Sequence, residues 1–178
     1  MRHHARIPVI AFLALTTLSG CELERLPQAP GGPVGAELVG AWRSRITFTA
    51  GPLSGMKDLE FLYAYNAGGT MTESSNYDEA ANASPPAYGV WRKTGPRQFE
   101  TKYVFYQTRA PEPADGDGNA GAWLPAGHGV LTEKISLSLD GNSYTSTVHL
   151  DSYDSSDHLT DGSADATGAG TRIAFTMP

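Results

Sequence analysis

The residues with chemistry to offer are few: one thiol, a crowd of tyrosines, three histidines in the body of the chain and one acid on an apolar face. Cys21 is the only cysteine among 178 residues. It follows an apolar run, Ile7 to Leu18, and two small residues, Ser19 and Gly20. A thiol so placed is free to take an acyl-bearing group as a thioether, and small neighbours let a peptidase close over the backbone before it. It has no partner for an internal disulfide, and metal or redox motifs built on cysteine pairs are excluded. His128, His149 and His158 show no metal-ligand spacing, and His149 alternates outward with Thr145 and Thr147. The chain has no Gly-x-Ser-x-Gly elbow and no phosphate loop between strand and helix. Neither catalysis nor a cofactor nor a metal is expected.

Glu133 is the sharper oddity. Within Val130 to Leu139 it shares a face with Leu131, Ile135, Leu137 and Leu139. A carboxylate facing an apolar interior is costly unless paired or protonated, so it would fix the polar end of a ligand. A rim position or a register break would instead turn it outward. Tyr63, Tyr65, Trp91, Phe99, Tyr103 and Phe105 sit on faces that alternate with polar residues. They would line a cavity for a flat or greasy molecule, or simply fill it. Ala110 to Gly127 reads as a long loop in which Trp123, beside Leu124, would cover an opening or pack over it. Inside it, Asp115 to Asn119 resembles the first half of a calcium loop, but Ala120 and Ala126 stand where Gly and Glu belong. Asp151, Asp154 and Asp157 gather around another turn as a solvated tip.

The elements that must position these groups are strands. Leu38–Thr49 alternates Leu38, Trp42, Ser44, Ile46 and Phe48 against Val39, Arg43, Arg45 and Thr47. Leu59–Tyr65, Thr70–Tyr77, Tyr88–Lys93, Arg97–Arg109, Val130–Leu139, Asn142–Tyr153 and Leu159–Phe175 follow, separated by Gly, Pro and Asp-Gly turn signals. The polar run Thr70–Tyr77 reads as lying near an edge. Asp140-Gly141 reads as a hairpin turn with positive φ at both positions. The last run is rich in Ala and Gly, which permits curvature and close packing. Consecutive hairpins without a long crossover predict an all-β fold, an eight-stranded antiparallel up-and-down barrel rather than a sandwich.

The first residues have the marks of a removable export signal: a basic start from Met1 to Arg6, then an apolar core too short for a membrane span of about 20 residues. Leu18-Ser19-Gly20-Cys21 resembles the bacterial lipobox at all its positions. That resemblance implies a signal peptide over 1–20, Cys21 as the lipidated first residue, and a flexible tether over 21–36 rich in Pro and Gly. Glu22, rather than Asp, then points to the outer membrane by the sorting rule of many diderm bacteria. Two or more acyl chains suffice for stable anchoring. Removing 1–20 removes Arg2 and Arg6 and no acid, leaving 11 basic against 19 acidic residues, so the formal charge moves from -6 to -8. Such a surface repels phosphate backbones, and nucleic acid is not an expected partner.

The domain over 37–178 resembles the calycins, the lipocalin-like, fatty-acid-binding and avidin-like barrels, through Gly40-Ala41-Trp42 on the first strand and Arg172 on the last. The resemblance implies that the Arg172 guanidinium packs over the Trp42 indole and closes one barrel end, so that both are closure residues and not ligand contacts. The expected function is an envelope lipoprotein whose barrel binds a small hydrophobic or amphipathic ligand. The alternative is a filled barrel that displays its loops to an envelope protein, and a cyclase- or isomerase-type barrel enzyme is the least supported reading.

Overall fold

Alternation builds this fold. Residues 35–77, 85–116 and 123–175 are described by a computed structural model. The chain divides after Gly31 into two units; the first, with Cys21 and most of the expected tether, lies outside the described residues, and the second holds the strands. These are β1 (Gly40–Phe48), β2 (Glu60–Tyr65), β3 (Thr70–Ser75), β4 (Ala87–Gly95), β5 (Gln98–Arg109), β6 (Leu124–Leu137), β7 (Ser143–Tyr153) and β8 (Ala164–Arg172). Each pairs antiparallel with its sequence neighbours, and β1 pairs with β8, so the sheet closes into an eight-stranded up-and-down barrel. Inward positions alternate with outward ones along every strand. The outward row carries Arg43, Arg45, Arg92, Lys102 and Lys134 together with exposed Leu62, Tyr88, Val90, Val104 and Tyr106.

Several local expectations are corrected. β6 begins at Leu124 rather than Val130, because Ala110–Gly127 is not all loop: Leu124 and Pro125 already pair with Arg109 and Thr108. Pro and Gly masked the strand, which absorbs them through a register shift between Gln107 and Thr108. β3 is no edge, since it bonds to both β2 and β4; Thr70, Thr72 and Ser74 face outward and alternate with inward Met71, Glu73 and Ser75. Leu139 does not share the interior with Glu133, being 86% exposed beyond the end of β6. At the same turn only Gly141 has positive φ (72°). Asp140 instead accepts hydrogen bonds from Ser138 Oγ (2.5 Å) and the Asn142 amide (3.1 Å), which fixes the turn without a left-handed residue there.

The two barrel ends differ. At one, the turn Gly35–Leu38 tucks Leu38 fully inside, and Trp42 Nε1 donates to the Leu38 carbonyl at 2.9 Å. Arg172 Cζ lies 4.3 Å from the Trp42 ring centroid. The same guanidinium donates to the carbonyls of Glu37 (2.5 Å), Val39 (2.7 Å) and Gly141 (3.0 Å). Gly40 has φ 137°, and a Cβ there would meet Arg172 Nη1 at 2.7 Å, so the motif glycine leaves the passage through which the arginine reaches its carbonyls. On β8, inward Ala164, Ala166, Gly168 and Gly170 form a wall almost without side chains. A Cβ on Gly170 would lie 2.3 Å from the Tyr144 ring, which itself packs 5.1 Å from Trp42, centroid to centroid.

Arg172→Ala removes a cation–π contact of about 0.5–2 kcal/mol. It also strips three carbonyls of a donor, at about 1 kcal/mol each before water compensates. The expected loss is about 2–4 kcal/mol, read as a lower urea midpoint. Arg172→Lys recovers only part of it, because an ammonium lacks the guanidinium fork. An unchanged midpoint in Arg172→Ala would remove the clamp from the account of closure.

Candidate ligand-binding site

The opposite end carries the cavity. There β5 and β6 run past their neighbours: the β4–β5 pairing stops at Tyr88 and Val104, while β5 continues to Arg109. The loops after Phe48, Ser75, Arg109 and Tyr153 all lie at this end. Between them is a cavity of about 390 Å³, within the range of small-molecule sites. Its walls are chiefly apolar: Phe48, Leu59, Phe61, Phe105, Leu131 and Leu150. Gly129 sits against the Phe105 ring, where a Cβ would come within 2.1 Å of it, so the glycine on β6 makes room for that aromatic wall. The register shift after Gln107 also brings Ala126 to the rim. Beside it, Arg109 is held by Asp115 through bonds of 2.6 and 2.8 Å, which keep the Asp115 carboxyl well below the usual range.

Below the cavity the barrel is packed. Tyr63, Tyr65, Trp91, Phe99 and Tyr103 are all buried in the core, and none lines the cavity; of the aromatic residues singled out in the sequence, Phe105 does. Tyr63 stacks on Tyr65 at 5.6 Å, and the Tyr63 and Tyr103 hydroxyls share a hydrogen bond of 2.9 Å. Trp91 stands edge-on to Tyr65 and to Phe99 and donates through Nε1 to the Asn66 carbonyl at 3.0 Å. Trp123 is 45% exposed and outside the cavity wall. Of the histidines, His149 faces outward between Asp165 (2.7 Å) and Asp151 (3.2 Å), and His128 stacks on Tyr153.

Between the packed half and the cavity lies a polar layer. Glu133 is 0% exposed, with the β5–β6 register running unbroken through its pairing to Thr101, so it points inward. Both of its oxygens lack a hydrogen-bond partner. Burial pushes its pKa up to about 7, while the nearby Ser146 and Tyr63 hydroxyls limit the rise without reaching hydrogen-bond geometry. Glu73 on β3 is 6% exposed, lines the cavity, and has an unpartnered Oε1. Burial and then the neighbouring Glu133 raise its pKa to about 8. Burial first, and Glu133 second, push the Tyr63, Tyr65 and Tyr103 hydroxyls well above their ordinary value, so they remain neutral donors. Ser44, Thr101, Tyr144 and Ser146 add hydroxyl oxygens to this layer, also without partners of their own.

Glu73 is the site residue that sequence reasoning missed. Its run reads as polar, and the available signal was parity: Met71, Glu73 and Tyr77 share one face, with apolar residues at both ends of the row. The geometry defines a class, a closed eight-stranded antiparallel barrel with one clamped end and one cavity-bearing mouth. Compared with protein-family models, curated proteins and solved structures, the chain matches none.

The two carboxyls tie stability to pH. Both folded pKa values lie above the ordinary 4.5, so the folded protein keeps protons that the unfolded chain gives up. Their contribution is complete below pH 4.5 and drains away as pH rises through about 7 and about 8. Glu133→Gln is expected to gain on the parent protein over that window, by on the order of 2–3 kcal/mol at its upper end. The check is the difference in Tm between variant and parent as a function of pH. A difference that stays flat across the window would mean that Glu133 ionises normally.

Proposed function

We propose that this chain is an exported lipoprotein, anchored through Cys21 in the outer membrane, whose calycin-like barrel holds a small hydrophobic or amphipathic molecule without transforming it. The observation that carries the binding reading is the cavity at the mouth: about 390 Å³ and walled by Phe, Leu and Tyr. A barrel built only as a scaffold has no need to keep such a cavity at one end while packing the other. The calycin likeness is supported by the Gly40, Trp42 and Arg172 cluster at the closed end. The anchoring reading rests on the lipobox-like Leu18-Ser19-Gly20-Cys21. The scaffold alternative draws on one specific observation, the aromatic packing of the lower half around Tyr63, Tyr65, Trp91 and Phe99.

Native mass spectrometry of the full chain, kept unlipidated by Cys21→Ser, is expected to show a co-purifying apolar molecule. Phe105→Glu should deplete it by about tenfold or more, since a charge on the cavity wall costs at least 1–3 kcal/mol in unmet solvation. An empty barrel that also fails to take up any apolar probe would favour the scaffold reading. For the anchor, cells expressing the natural chain should incorporate labelled palmitate into it, and Cys21→Ser should abolish the label. Persistent labelling of that variant would refute lipidation at Cys21.

A further inference from the structure

The cavity has an apolar wall and an acidic floor, and among the described residues no buried base balances the acid. Among the described residues the buried charged side chains are Glu73 and Glu133, two acids and no base. Glu73 reaches the cavity itself, and Glu133 lies one inward position below Leu131, another wall residue. Three of their four carboxyl oxygens are buried without a hydrogen-bond partner. Arg109, the cation on the wall, is engaged by Asp115 at the rim and is not directed to the floor. Buried acids left this way are expensive, and a layer of orphaned acceptors is a request for a donor.

From this arrangement we propose that the cavity selects amphipathic molecules bearing a cationic amine, with the ammonium group seated on Glu73 and the apolar tail along Phe48, Phe61, Phe105 and Leu131. This deepens the binding reading above and rests on it. An ammonium supplies both things the floor lacks, a positive charge and several N–H donors. The aromatic residues add a second attraction, because ring faces stabilise a cation that has shed its water. A metal ion fits poorly. A calcium ion takes 6–8 oxygen ligands, and among the described residues no third acid, histidine or cysteine joins the two carboxyls. A fatty acid fits worse, since its carboxylate would meet Glu73 as a like charge.

The test is calorimetric titration of the full chain carrying Cys21→Ser with decylamine, decanol and decanoate. It is run at about pH 9, above the Glu73 pKa of about 8 and below that of an alkylammonium. Decylamine is expected to bind at least about tenfold tighter than decanol, with decanoate the weakest. Glu73→Gln should erase the amine's advantage over decanol. If decanol binds and decylamine gains nothing over it, or if decanoate matches the amine, the amine assignment falls while the apolar cavity stands. If none of the three binds, the binding reading falls and the assignment with it. The ligand series on the parent protein decides the matter even if Glu73→Gln fails to fold.

Discussion

The β1–β8 ladder closes the ring, and a single guanidinium secures its end. A meander of strands closes only if its first and last members find each other, and hydrogen bonding between β1 and β8 is helped at the decisive corner by Arg172. It lies on the Trp42 indole and donates to three backbone carbonyls, two in the segment entering β1 and one in the turn before β7. The residues around it are explained by it. Gly40 clears its path, Trp42 is itself oriented by a bond to Leu38, and Tyr144 packs against the indole. Glu37, whose carbonyl Arg172 holds, has its carboxylate on Lys93 of β4, so the plug is tied across the barrel floor.

With one end secured, the interior separates into two regimes. Near the clamp, aromatic rings pack edge-to-face and stacked, and the usual hydrophobic gain of close packing applies. Near the mouth the packing is less complete: Phe48, Phe61 and Phe105 border the cavity as well as the core. The boundary is a layer of carboxyls and hydroxyls whose acceptors are only partly satisfied. Marginal stability makes such a layer hard to sustain as pure structure, because each orphaned buried group costs about 1–3 kcal/mol against a total of about 5–15. β8 makes it spatially possible. A Cβ on Gly168 would meet Ser146 Oγ at 2.3 Å and sit 3.5 Å from Glu133 Oε1, so the missing side chain is the space the polar layer occupies.

The fold class was legible because binary alternation survives in almost every strand, and because successive runs read as hairpins with no long crossover between them. What escaped was local. β6 could not be seen starting at Leu124, since Pro125, Gly127 and Gly129 imitate a loop while in fact making a bulge and a seat for Phe105. β3 looked like an edge because its outward residues are Thr and Ser and its inward row includes an acid. Burial depth escaped too. Alternation says which residues point inward but not how far along the axis each lies, so Tyr63, Tyr65 and Tyr103 could not be sorted from Phe105. That sorting depends on strand stagger, a property of the closed ring rather than of any segment. Glu133 could be read because it interrupts a row of Leu and Ile; Glu73 was passed over because only Met71 and Tyr77 mark its row as inward, amid Thr and Ser.

One further consequence follows from where the plug sits. The backbone reaches the first strand through Gly35–Leu38, on the clamped side, and every long connection is on the far side. The chain therefore enters the barrel at its clamped pole, while the cavity lies at the opposite pole, which gives a symmetric-looking cylinder a front and a back.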